Sequence, residues 1–286
     1  MVITRADLEM HQERASDSLL IPGVYNYCHR RCERCAFTAR CFLYRENEEE
    51  ARRHGEPDAR NELQGNLQQT IDLIGACCER EGGDLEQILG DSDAEGFAAE
   101  QERLSNAIAA VAHDPLYVRS KSCAVAAHAV VDPLRHLSAF HEWPADVAEA
   151  IDTISWHATE IPAKVYRALC GHAEFGGAAE DPIQSDWNGS AKVARLAIRE
   201  SCAAWEVLFA AGETPRDAPI RQTRDRLEQI DRELAGRFPG AMEFVRPGFD
   251  EPEVAAGALS AAARSAPLRA TLRRRLTEWF ARRFRR

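Results

Sequence analysis

Apolar residues recur every three or four positions along most of this chain, and stretches that alternate apolar with polar are scarce. That is the helical period, and the many Ala, Leu, Glu and Arg residues favour the same state. The pattern predicts an all-α protein, a multi-helix bundle. Leu63, Leu67, Thr70, Ile74 and Cys77 mark one face of a helix over 58–80. Phe97, Leu104, Ile108 and Val111 do the same over 94–112. His113-Asp114-Pro115 reads as a cap, with proline in the first turn of a helix running from Pro115 toward Val131. Asp132-Pro133 then starts or kinks a continuation to Glu142. Pro144 opens a helix from Ala145 to about His172, striped by Val147, Ile151, Ile154, Ile161 and Val165. Further helices are predicted over 191–211 and from about Pro215 to Phe238. Glycine-rich 171–188 is the best interior loop, and 241–252 has the composition of a linker. Three parts follow: an N-terminal cysteine-cluster segment (1–57), a helical bundle (58–240), and a linker with a basic amphipathic C-terminal helix (241–286).

The 286 residues suffice to bury a core without disulfides. The N-terminal stretch is polar and no eighteen-residue apolar run occurs, so the expectation is a soluble cytoplasmic protein. The net charge of -10 is unevenly spread. Residues 264–286 hold nine arginines and one acid, Glu278, so this tail carries +8 and the rest of the chain -18. An acidic body disfavours nucleic acid as a partner. In the tail, Leu268, Leu272, Leu276, Trp279, Phe280 and Phe284 recur at helical spacing among the arginines, which suits docking onto the acidic body, a second subunit or a protein partner, or lying on a membrane surface.

Four of the nine cysteines form C-x3-C-x2-C-x5-C at Cys28, Cys32, Cys35 and Cys41. In a reducing compartment such a cluster points to metal rather than disulfides. Four thiolates on one turning segment can surround a tetrahedral zinc or a [4Fe-4S] cubane. Zinc sites usually separate two pairs of ligands by a dozen or more residues, and this spacing has no such gap. Arg30, Arg31, Arg34 and Arg40 favour thiolate over thiol, and Tyr25, Tyr27, Phe37, Phe42 and Tyr44 can shield a cluster. Cys77, Cys78, Cys123, Cys170 and Cys202 lie in apolar helical runs and read as small hydrophobes.

The closing C-x2-C-x5-C, followed by Phe42-Leu43-Tyr44, resembles the cluster-binding segment of the endonuclease III type DNA glycosylases and of RecB-like nucleases with an iron-sulfur clasp. The resemblance implies a [4Fe-4S] cluster on the four cysteines. It covers fourteen residues. Leu20 to Val24 is similar to the glycosylase hairpin but lacks its second glycine, and the catalytic context of either family is missing. The cluster type carries over and the DNA activity does not. Cys28 to Cys35 also matches the C-x3-C-x2-C of radical S-adenosylmethionine enzymes, whose alternating strands and helices this pattern does not predict.

Polar residues inside helical faces mark a second candidate site. Projected on a helix, Glu200 falls in an apolar face beside Val193, Leu196 and Val207, where a carboxylate needs a partner. The chain has 36 basic residues of which only Lys121, Lys164 and Lys192 are lysine, a compact ammonium in an arginine-rich context. Tyr117, Lys121, His128 and Asp132 form one polar stripe, and His157 and Lys164 flank another. Facing each other, these would line a pocket with Glu200 and Glu100. No Glu-x-x-His pair for a di-iron site occurs, nor a P-loop, H-E-x-x-H or nucleophile elbow. Three functions stay open: an iron-sulfur protein with a redox role and a polar pocket, a noncatalytic interaction module with an iron-sulfur or zinc staple, and a nucleic-acid-associated iron-sulfur protein.

Overall fold

The computed structural model describes residues 17–54, 94–138, 140–175, 181–212 and 217–251. The expected helix over 58–80, Cys77 and Cys78, the side chain of Glu100 and the basic tail lie outside the described residues. Among the described residues there are six α-helices and no strand: α1 Phe42–His54, α2 Ala94–Ala112, α3 Pro115–Leu137, α4 Ala145–Phe175, α5 Asp186–Ala211 and α6 Asp217–Arg237. Short 3-10 turns cover Val24–Asn26, Cys32–Arg34, Thr38–Arg40 and Pro239–Met242. The chain divides into two compact units, Met1–Phe97 with Arg246–Arg286, and Ala98–Val245. No described helix is long and apolar enough to cross a membrane.

In the second unit, α3, α4, α5 and α6 close a ring: each packs on the next and α6 returns to α3. The longest interface joins α4 and α5. α4 buries Val147, Ala150, Ile151, Ile154, Ala158, Ile161, Val165 and Ala168 at helical spacing. α5 answers with a face of alanines, Ala191, Ala194, Ala197 and Ala204, joined by Ile198, Trp205 and Leu208. Small side chains let the two backbones approach closely, and the large ones fill the gaps between turns.

Local chemistry accounts for the ends. The Asp114 carboxylate accepts the Leu116 N–H at 2.8 Å, with Pro115 in the first turn of α3, the expected cap. The continuation read from Asp132-Pro133 is part of the same helix: α3 runs to Leu137, short of the expected Glu142, with Pro133 inside it. Pro133 lies on the exposed side, where the loss of one backbone bond is tolerated. α5 starts at Asp186, not Ala191, because Ser185 caps it by accepting the Asn188 N–H at 3.4 Å. Asn188 and Gly189, which resemble a turn in sequence, are buried helical residues. Asn188 instead donates from Nδ2 to the Pro182 carbonyl at 2.7 Å. Residues 238–244, in part read as linker, pack into the bundle: Phe238, Ala241 and Phe244 are buried, and the Pro239–Met242 turn lies against α5 and α6.

In the first unit the described apolar core is small. Ile21, Val24 and Phe37 are its buried members, with Tyr25, Cys35, Ala36, Cys41 and Phe249 against them.

Candidate metal centre

The cysteines occupy a segment built of tight turns. Arg30, between Cys28 and Cys32, has φ 53°, the left-handed region that side-chain-bearing residues seldom enter. The 3-10 turns that follow are closed by Cys35 N–H to Cys32 O at 3.2 Å and Cys41 N–H to Thr38 O at 3.3 Å. The far end is tied to the start, since Ile21 N–H donates to Arg40 O at 3.0 Å and Arg40 Nε to Leu19 O at 2.9 Å. Arg45 and Asp17 add an ion pair at 2.8 Å. Looped in this way, the segment brings the thiol of Cys32 within electrostatic reach of those of Cys28, Cys35 and Cys41.

A backbone donor points at one of the sulfurs. Phe37 N–H donates to Cys35 Sγ at 3.3 Å. Cys41 immediately precedes α1, and a helix N-terminus favours negative charge there. Burial pushes the Cys32 thiol up from its ordinary value of 9.0, and the neighbouring thiols and Glu33 push the same way. Cys41 is also raised by burial, with the Tyr44 and Leu43 amides and Arg30 pulling it down. Among the described residues, no three of these sulfurs lie within 4.8 Å of one another. Thiolates bound to one zinc at about 2.3 Å lie roughly 3.8 Å apart, whereas a cubane with one thiolate per iron spreads them more widely.

Of the six pocket candidates Glu200, Lys192, Lys121, His128, His157 and Lys164, the bundle brings two into direct contact. His157 is fully buried on α4, and its Nε2 lies 3.0 Å from Glu200 Oε2 on α5. Its Nδ1 lies 2.9 Å from Glu160 Oε2, one turn on, a partner the sequence reading missed although His-x-x-Glu places both on one helix face. Burial lowers the imidazole pKa, and the bonds and charges of Glu160 and Glu200 outweigh it, so the net value is raised above 6.5. Glu200 does not occupy an apolar face as projected; its side chain is 55% exposed. The buried face of α5 is drawn by alanines, and Leu196 and Val207 lie only at its half-buried edge.

The other candidates have separate surroundings. His128 contacts Asp132 at 3.3 Å and Thr159 at 3.4 Å. Exposed Lys121 stacks over the Tyr117 ring, 4.3 Å from its centroid, and Lys164 is half-buried. A small cavity lined by Ser120, Cys123, Ala127, Ala158, Ile161 and Ser201 includes none of the six candidates. Cys123 and Cys202 are pushed by burial to about 11, inert thiols of the hydrophobic kind expected.

Lys192 is buried and donates from Nζ to the Phe244 carbonyl at 2.6 Å. A buried carbonyl met at 2.6 Å in a closed space suits a compact point donor better than a planar fork. K192R is therefore expected to cost about as much as K192M, ~2 kcal/mol each, as read from urea unfolding midpoints; a neutral K192R would contradict this account of the lysine.

No known protein family matches this chain, and no curated protein or solved structure matches it either. The segment offers four sulfurs, the Phe37 N–H on Cys35 Sγ and the nearby charge of Arg30.

Proposed function

We propose that Cys28, Cys32, Cys35 and Cys41 hold a [4Fe-4S] cluster and that the chain is an iron-sulfur protein whose N-terminal unit is organised around it. The convergence of the four thiols carries this reading. The sequence spacing, which lacks the gap usual between zinc-ligand pairs, supports a cubane over a single zinc, and the Phe37 N–H on Cys35 Sγ is a hydrogen bond of the kind that tunes the potential of such clusters. When bound, the cluster accepts and returns one electron; the protein contributes ligands, the Phe37 N–H and the charge of Arg30.

The bundle favours a second reading for the same ligands, a noncatalytic module in which the metal is structural. Its six pocket candidates have separate partners apart from His157 and Glu200, and they do not surround the described cavity. Anaerobic purification followed by assay of iron, sulfide and zinc decides the metal. About four irons and four sulfides per chain, with absorption that bleaches under dithionite, support the cluster and a redox role. An iron-sulfur centre that dithionite leaves unchanged supports the structural role, zinc alone overturns the cluster assignment, and a metal-free chain overturns both readings.

A further inference from the structure

The cysteine segment acquires its cover from more than two hundred residues downstream. The loop Arg246–Glu251 is internally locked: Arg246 pairs with Asp250 at 2.9 Å, Phe249 N–H donates to Arg246 O at 3.2 Å, and Gly248 N–H donates to Glu251 at 3.1 Å. The Arg246 guanidinium also lies over the Phe249 ring, 5.1 Å from its centroid. Gly248 has φ 77°, and a Cβ there would stand 3.0 Å from Ile21 Cδ1 and 3.5 Å from Val24 Cγ2. Only glycine permits both that conformation and that approach. With the loop pressed down, Phe249 meets Phe37 edge to face, ring centroids 4.8 Å apart, a favourable aromatic geometry. Phe37 is the residue whose N–H donates to Cys35 Sγ, and Cys35 and Cys41 both pack against this small core.

We propose that Arg246–Glu251 is the cover of the cysteine site and that Phe249 is a positioning residue, holding Phe37 so that its N–H stays on the Cys35 sulfur and water stays off Cys35 and Cys41. The proposal rests on the reading of the cysteines as a ligand set, and it names the part of the protein that regulates access to them. Shells of this kind control solvent access and affinity at metal sites.

The test uses the full-length chain with F249A, and F249Y as the variant that keeps the ring. Metal release to a chelator under argon is expected to accelerate about tenfold in F249A, as for other outer-shell changes, and to stay at the wild-type rate in F249Y. In parallel, the proteins as purified under argon, with whatever metal they carry, are alkylated with iodoacetamide and mapped by mass spectrometry. Labelling of Cys35 and Cys41 should rise in F249A while Cys123 and Cys202, in the bundle, keep their rates. Unchanged labelling of Cys35 and Cys41, or an equal rise at Cys123 and Cys202, overturns the cover. A wild-type chain that purifies without metal, with Cys35 labelling still raised by F249A, leaves the cover standing and removes the ligand assignment.

Discussion

Alanine at Cys32 is expected to strip the N-terminal site of its metal, leaving less than about a tenth of the wild-type content. In the proposed quartet Cys32 is the thiol whose pKa is raised by all three others, so its loss is the one expected to open the set. Three remaining thiolates leave one iron of a cubane, or one corner of a tetrahedron, to water. Because metal binding and folding are coupled where the apolar core is small, C32A should also become sensitive to protease within residues 28–41. C170A is the control: Cys170 lies half-buried on α4, outside the quartet, and its removal should leave metal content unchanged. A C32A protein with full metal and intact protease resistance would show that the quartet is not a ligand set.

Leucine at His157 is the second large effect, expected to lower the stability of the bundle by ~3 kcal/mol at mildly acid pH. A neutral imidazole has one N–H, but both ring nitrogens of His157 face carboxylates; only the imidazolium donates to both. Of the two bonds, that to Glu160, 9% exposed, contributes more than that to Glu200, 55% exposed and screened by solvent. H157L leaves the Glu160 carboxylate enclosed without its cation. The pKa of His157 is raised in the folded protein, so its contribution is complete below the unfolded value and disappears as pH rises through the folded value. Urea unfolding at about pH 6 and about pH 9 should therefore show a wider gap between wild type and H157L at the lower pH. An equal gap at both, or a wider one at high pH, would mean that the histidine is held neutral.

Much of the architecture could be read from residue pattern. The helix over 94–112 appears with those bounds, and the predicted cap at Asp114 is present, because such signals depend on atoms within one turn. Other features escaped for a common reason. The start of α5 was misplaced because Asn188-Gly189 resembles a turn until the surrounding elements bury it. Glu200 was assigned to the interior because leucine and valine carry more weight in a projection than alanine, yet alanine is what a close helix pair buries. Glu160 went unnoticed because a glutamate three residues after a histidine is ordinary on any exposed helix.

The amino-acid order alone determined the helical class and the cap at Asp114, both consequences of short-range geometry in which neighbouring residues share one turn. Folding in three dimensions decided which partners meet from afar: Glu200 with His157, Phe244 with Lys192, and Phe249 with Phe37. Those encounters depend on how helices and loops are packed against each other, and a linear pattern records periodicity but not the identity of the surface that each face will meet.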